Sequence, residues 1–199
     1  MQEVAIYILE LDDIKANEDK ILKELSSFQL MQSKKYKVQE DYLRSIGGFY
    51  LINKYTSKNG LRHNKYGKPI KTGEYFNVAH SGKFVVFAKS DVQIGVDIEK
   101  IRDFKVGLIN YICNEQYAKK IKTKQDFFKV WTLKESLIKC VGTGFAKGSV
   151  KDVPIYPIEK RVYLGEDYSS KIELIEDYVL AVCIKGLDDL SLDIEHIKL

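Results

Sequence analysis

Two carboxylates two residues apart on an alternating run are the first groups in this chain that can do chemistry. Val92, Ile94, Val96 and Ile98 alternate with Gln93, Gly95, Asp97 and Glu99. That is the period of a β-strand, so Asp97 and Glu99 leave one face together. Like charges held that close repel unless water or a cation lies between them, and a hard cation such as Mg²⁺ takes carboxylate and phosphate oxygens. The pair reads either as half of a metal site or as two acids on a solvated strand face. Glu135 and Lys139 stand i and i+4 on a helix-patterned stretch and share a face with Trp131. They read either as a surface ion pair or as a third metal carboxylate beside a lysine that neutralises a phosphate. His80 lies in Phe76-Asn-Val-Ala-His-Ser-Gly82, just before a continuous apolar run. With Ser81 and nearby backbone N–H groups it can hold a phosphate. A Ser/His nucleophile pair fits less well: adjacent residues on an extended segment point apart, and no acid is placed to orient the imidazole. His63 and His196, in a polar loop and in the tail, default to solvated positions. Gly142-Thr-Gly-Phe-Ala-Lys-Gly148 follows a helix and lacks a G-K-[ST] ending, so it reads as a helix stop and turn rather than a phosphate loop.

The elements that must position these groups can be read from hydrophobic periodicity. Val4–Leu9 is a short strand. Asn17–Leu30 is helical, and Ser33–Tyr55 is a longer helix with Tyr42, Leu43, Ile46, Phe49, Tyr50 and Ile52 on its apolar side. Asn59–Gly73, rich in Gly, Asn and Lys, is a loop that contains Gly67-Lys-Pro69. Phe84–Ala88 is a continuous apolar strand, and Lys89-Ser-Asp91 joins it to Val92–Glu99 as an expected hairpin with one face in the core. Val106–Lys122 is helical. Asp126 is the expected cap of a helix that runs to about Val141 and ends at Gly142-Thr-Gly144. Val162–Leu164, Lys171–Leu174 and Tyr178–Ile184 are strands. A long helix followed by an apolar strand thus occurs twice, as expected of two α+β units with a seam near residue 102.

Composition bounds the function class. The chain has 199 residues, 45% of them hydrophobic and 30% charged, with three prolines and thirteen glycines. This is a globular composition that excludes disordered, collagen-like and low-complexity chains. The net charge of +4 demands no nucleic acid, but twelve Lys/Arg against three acids between Ser33 and Lys89 give that stretch a local balance of +9. The block reads as a site for an anionic ligand or partner, or as a solvated lysine-rich surface. As a nucleic-acid module it lacks an aromatic-rich RNA-binding signature. Cys113, Cys140 and Cys183 are scattered and supply neither a disulfide framework nor a zinc site; the last two are expected in the core. No basic segment followed by a long apolar one opens the chain, and no apolar run approaches the ~20 residues of a membrane span. A cytoplasmic protein that binds neither membrane nor nucleic acid is expected.

The order of the segments is more specific than any one of them. Gly67-Lys-Pro69, Phe76-Asn-Val-Ala-His-Ser-Gly82, Gly95-Val-Asp-Ile-Glu99 and Trp131-Thr-Leu-Lys-Glu-Ser-Leu-Ile-Lys139 follow one another. The chain resembles the 4′-phosphopantetheinyl transferase superfamily, and within it the longer, surfactin-synthetase-activating group. Its two signatures, G-[IV]-D-[IV]-E and W-x-x-K-E-[SA]-x-x-K, are matched at every defining position. The resemblance implies an α+β fold of two similar halves related by a pseudo-two-fold, residues 1–102 and 103–199. It implies transfer of the 4′-phosphopantetheine arm of coenzyme A to a serine of an apo acyl or peptidyl carrier protein, with Mg²⁺, releasing 3′,5′-ADP, by a monomer. Asp97, Glu99 and Glu135 match the metal carboxylates, and Lys139 the lysine on the coenzyme A phosphates. Arg44, Lys68, Pro69, His80 and Ser81 match nucleotide and 3′-phosphate contacts, and Glu115 a glutamate proposed as general base. Ala79 departs from the serine often found before the histidine, which implies a lost nucleotide hydrogen bond. A non-catalytic relative that binds coenzyme A or a carrier is the alternative.

Overall fold

A computed structural model describes residues 1–57, 60–144, 150–154 and 160–199. In chain order the elements are β1 (Gln2–Glu10), α1 (Leu11–Ala16), α2 (Glu18–Glu24), α3 (Ser27–Ser33), α4 (Gln39–Tyr55), β2 (Arg62–His63), β3 (Pro69–Ile70), β4 (Tyr75–Ser81), β5 (Phe84–Ser90) and β6 (Ile94–Lys100). They continue as α5 (Gly107–Ile112), α6 (Glu115–Ala118), α7 (Lys124–Val141), β7 (Lys160–Tyr163), β8 (Glu166–Ile175), β9 (Tyr178–Lys185) and β10 (Leu190–Ile197). The architecture is α+β. Two four-stranded sheets, ordered β10-β1-β5-β4 and β6-β9-β8-β7, face each other.

The period-2 geometry of strands explains this layering. Val4, Ile6 and Ile8 of β1 and Phe84, Val86 and Ala88 of β5 meet Ile94, Val96 and Ile98 of β6 and Leu180, Val182 and Ile184 of β9 in one dry core between the sheets. The alternate residues of β1 and β5, Leu9, Val85 and Phe87, turn outward and pack under α1, α2 and α4. Those of β9, Val179, Ala181 and Cys183, turn outward beneath α7. Central strands covered on both faces must read as apolar runs, as Phe84–Ala88 and Tyr178–Ile184 do. Each fully buried branched or aromatic side chain contributes about 1.5–3 kcal/mol.

Four expectations need correction. The hairpin of Phe84–Ala88 with Val92–Glu99 does not form: β5 pairs with β1 and β4, while β6 pairs with β9 in the opposite sheet. The short turn after Ser90 carries the chain from one sheet to the other, because β6 has apolar residues to bury on the inter-sheet side and a second face to bury under α7. The Ser33–Tyr55 helix begins only at Gln39; Ser33 ends α3, and its hydroxyl is tied to Ser45 at 2.8 Å. The Asn17–Leu30 helix is interrupted at Leu25, because Ser26 and Gln29 form a capping box that starts α3 afresh. The tail is a strand: β10 lies parallel to β1, Gln2 opposite Leu190, and its alternation of Leu190, Leu192 and Ile194 with polar residues explains why.

Sheet membership crosses residue 102 both ways, since β6 belongs with β9 and β10 with β1. The helix expected to be capped by Asp126 starts at Lys124 and is capped by Thr123, whose hydroxyl accepts from the Asp126 N–H while the Asp126 carboxylate takes the Thr123 N–H in return. It ends, as expected, at Gly142 with φ of 74°. The remainder of the Gly142–Gly148 turn lies largely outside the described residues. All three cysteines are buried, and among the described residues no helix is long and apolar enough to cross a membrane.

Part of the basic block is spent on structure. Glu74 accepts from the Ser57 hydroxyl and backbone N–H and pairs with Lys89 at 3.3 Å and Lys71 at 3.7 Å. The Ser57 hydroxyl above all, with its backbone N–H and then the two lysines, holds the carboxyl at about 2 despite burial, which pushes it the other way. A depressed carboxylate stabilises the fold above its unfolded pKa and loses that contribution as pH falls from about 4.5 toward 2. Glu74→Gln is expected to cost about 1 kcal/mol at pH 7 and to flatten the acid limb of Tm against pH in that window. An unchanged acid limb in the variant would contradict this reading.

Candidate functional site

The site is built where α7 crosses β6. Gly95 stands at the crossing: a Cβ there would lie 2.1 Å from the Ser136 carbonyl oxygen and 2.2 Å from the Cys140 nitrogen. Only a glycine lets the helix backbone come so close. The contact is locked by a reciprocal pair, the Gln93 amide donating to the Cys140 carbonyl at 2.6 Å and the Cys140 thiol to the Gln93 carbonyl at 3.3 Å. The face of β6 that carries Gly95, Asp97 and Glu99 is therefore covered by α7, and two turns of helix bring Trp131, Glu135 and Lys139 over it.

Asp97 is buried and receives the Lys139 ammonium on Oδ1 at 2.6 Å. Its Oδ2 is buried without a hydrogen-bond partner. Burial, with Glu99 and Glu135 and against the pull of Lys139, raises the Asp97 carboxyl to about 7. Burial also raises Glu135, against Lys139 and with Glu99. The three carboxylates thus feel one another's charge, with one lysine among them. They are not gathered on one point: among the described residues no three His, Cys, Asp or Glu side chains stand close enough to hold a metal ion. Glu99 is taken by the Ser81 hydroxyl at 3.0 Å, Arg102 at 2.9 Å and the Trp131 indole N–H at 3.3 Å.

β4 supplies the opposite wall. His80 points away from the inter-sheet core and is exposed at one edge; desolvation, then the charges of Lys139 and Arg44, lower its pKa. His80 therefore feels the charges of both Lys139 and Arg44. Arg44 is anchored by Nη1 donating to the Gly82 carbonyl at 2.6 Å and Nη2 to Asp41 at 2.9 Å. Ser81 bridges the sheets, accepting the Lys100 N–H at 3.2 Å while donating to Glu99.

Other expected residues go elsewhere. The Lys68 ammonium is engaged by backbone carbonyls of Ile94, Lys139 and Cys140 at 2.9, 2.7 and 3.3 Å, and Pro69 is half-buried in the β2–β3 ribbon. Glu115 opens α6 with its carboxylate in water, paired with Lys119 at 3.0 Å. An exposed i,i+4 pair of this kind is worth about 0.3–0.5 kcal/mol, and none of the contacts described for Asp97, Glu99 or Lys139 includes Glu115. Ala79 faces the inter-sheet core, almost fully buried, on the face opposite His80. Its departure from serine is thus a packing change and removes no group from the side where His80 stands.

Two residues escaped the sequence reading. Asn77 is buried, and its side-chain oxygen accepts the Val96 N–H at 2.9 Å, joining β4 to β6 across the sheets. A polar residue inside Phe76-Asn-Val-Ala was the available signal. Lys134, inside the second signature, is almost completely buried and donates to the Val150 carbonyl at 2.7 Å.

Comparison with known proteins finds similarity to one family. Residues 93–183, from the start of β6 to β9, match the family model of the 4′-phosphopantetheinyl transferase superfamily. The 4′-phosphopantetheinyl transferase gsp of Aneurinibacillus migulanus is 35% identical over 120 residues, 53% of this chain and 51% of that protein. The 4′-phosphopantetheinyl transferase ffp of Bacillus subtilis is 27% identical over 177 residues, 80% of this chain and 75% of its own length. The 4′-phosphopantetheinyl transferase Sfp of Bacillus subtilis (strain 168) is 29% identical over 125 residues, 54% of this chain and 56% of its own. The chain spans about half the length of gsp and Sfp.

The Gly95 crossing is testable by itself. Gly95→Ala must push α7 off β6, and is expected to cost about 3 kcal/mol or more, roughly 6–12 °C in Tm. A variant with wild-type Tm would show that the helix does not sit this close.

Proposed function

We propose that this chain, whose residues 93–183 match the 4′-phosphopantetheinyl transferase superfamily, acts as a member of it and transfers the phosphopantetheine arm of coenzyme A to a serine hydroxyl of an apo carrier protein. The observation that carries the reading is the buried Asp97, paired through one oxygen with Lys139 and left with a second oxygen that has no partner. A buried carboxylate oxygen without a donor is costly unless a cation completes it. Asp97, Glu99 and Glu135 are the residues that would hold Mg²⁺; their all-oxygen chemistry suits it, although they would have to draw closer together than they stand here to do so. Mg²⁺ held there would supply neutralisation of the charge on the pyrophosphate oxygens.

The chain's own residues do the rest. Lys139 and Arg44 supply positive charge for the coenzyme A phosphates, and His80, its pKa lowered by burial and by both of them, serves as a neutral hydrogen-bonding group. The serine oxygen attacks the phosphorus that carries the pantetheine; an O–P bond forms, the bridging P–O bond breaks, and 3′,5′-ADP leaves. The serine proton needs an acceptor close to the phosphate. Glu135, half-buried and raised in pKa by its surroundings, suits that task better than Glu115, which stands in water with Lys119.

The test is to incubate the protein with coenzyme A, Mg²⁺ and several apo carriers and weigh each carrier. A gain of one phosphopantetheine is expected for at least one; no gain on any would overturn the transferase reading, and coenzyme A binding without turnover would support the non-catalytic alternative. Asp97→Asn and Glu135→Gln are each expected to lower kcat by about 100-fold or more, while Glu115→Gln keeps it within about threefold. A large loss in Glu115→Gln alone would return the base to Glu115.

A further inference from the structure

The loop that holds Gly67-Lys-Pro69 does more than border the site. Asn64 organises it: its side-chain oxygen accepts the Tyr66 and Lys68 N–H groups at 2.9 and 3.0 Å, and its backbone N–H donates to the Lys68 carbonyl at 2.9 Å. Gly67, at φ of 88°, turns the chain so that this closure is possible. The same Asn64 donates from its amide to the Gly142 carbonyl at 2.7 Å. The turn is thus hooked to the end of α7 before Lys68 reaches in. The Lys68 stem lies against Gly142, 3.3 Å from where a Cβ would be. Its ammonium then meets two carbonyls of the last turn of α7 and the carbonyl of the first residue of β6.

Those acceptors are chemically specific. A helix's last carbonyls lack intrahelical donors and carry the negative end of its dipole, so a cation there satisfies them and is attracted at once. An ammonium has three donors, and here each has a carbonyl. One of the acceptors is the backbone of Lys139, whose side chain holds Asp97. Another, Ile94, begins the strand that carries Asp97 and Glu99. Burial lowers the pKa of Lys68, so the three acceptors must compensate the cost of placing its charge there.

We infer that Lys68 is a positioning residue: its ammonium pins the end of α7 to the start of β6 and thereby fixes Lys139 and Glu135 relative to Asp97 and Glu99. This deepens the transferase reading and rests on it for its kinetic consequence, but not for its structural one. A lysine that contacts the nucleotide would govern coenzyme A affinity. A pin governs the geometry of groups that act on the reacting phosphate, and a small misplacement there lowers turnover.

Lys68→Met keeps the stem and removes the ammonium. It is expected to lower kcat by at least tenfold with KM for coenzyme A within about threefold, and to speed amide exchange in the last turn of α7 by at least tenfold. Emission of the single tryptophan, Trp131, is expected to become more accessible to acrylamide. Lys68→Arg, which keeps the charge, is expected to recover part of both. A tenfold rise in KM with unchanged kcat, exchange and quenching would overturn the proposal and make Lys68 a nucleotide contact. If the wild-type protein modifies no carrier, the transferase reading has failed, while exchange and quenching still decide the pin. If Lys68→Met does not fold, Asn64→Ala, which unhooks the same turn from Gly142, decides it: unchanged exchange at the end of α7 would overturn the proposal.

Discussion

The distance between α7 and β6 at Gly95 governs the rest of the molecule. A helix backbone that touches a strand backbone leaves no room for an intervening side chain, so groups one or two turns away come down onto the strand's neighbouring positions. Asp97 is the first such position. It is buried because α7 covers it, and it is paired with Lys139 because the same helix delivers that lysine. The charges at the site are consequences of backbone approach. Had β6 carried alanine at 95, the helix would have had to stand farther off, and Asp97 and Lys139 would face water.

That approach is expensive in polar groups and is compensated locally. The last carbonyls of α7 receive Gln93, Lys68 and Asn64; the outer edge of β6 receives Asn77 on Val96 and Ser81 on Lys100. A buried donor or acceptor left unpaired costs about 1–3 kcal/mol, so these five side chains together outweigh any single core residue. Asn77 and Ser81 also join the two sheets, as do the Lys83 N–H on the Tyr178 hydroxyl and Lys171 on the Leu190 carbonyl. Among the described residues three buried side-chain oxygens have no hydrogen-bond partner, Asp13 Oδ2, Thr132 Oγ1 and Asp97 Oδ2, and the last is the carboxylate oxygen on the face of β6 beneath α7. Structure alone gives no reason to keep an unpaired carboxylate oxygen there, and the proposed cation-dependent reaction would.

The chemistry was more legible in the sequence than the connections. Asp97 and Glu99 on one strand face, and Glu135 and Lys139 on one helix face, follow from periods of 2 and 3.6, and the structure unites those faces. The strand alternation of β6 did not reveal that its polar face lies under a helix, because Gly95 is small rather than apolar and its meaning depends on a partner 41 or more residues away. Sheet pairing is likewise non-local: β6 with β9 and β1 with β10 are separated by much of the chain, so neither was visible, and the short Lys89-Ser-Asp91 link favoured a hairpin that does not form. Lys68, Arg44 and Asn77 were recognisable as polar residues in motifs, but a motif does not say whether a cation faces a ligand or a carbonyl. Only the fold shows Lys68 on the end of α7 and Ala79 in the dry core.

The central claim is that the face of β6 beneath α7 is a cation-completed phosphate site, and calorimetric titration of Mg²⁺ into the coenzyme A-saturated protein tests it directly. The account predicts one-site Mg²⁺ binding to the wild-type chain and its loss in Asp97→Asn, with coenzyme A itself still bound by the variant. Equal Mg²⁺ binding by the two proteins would contradict it.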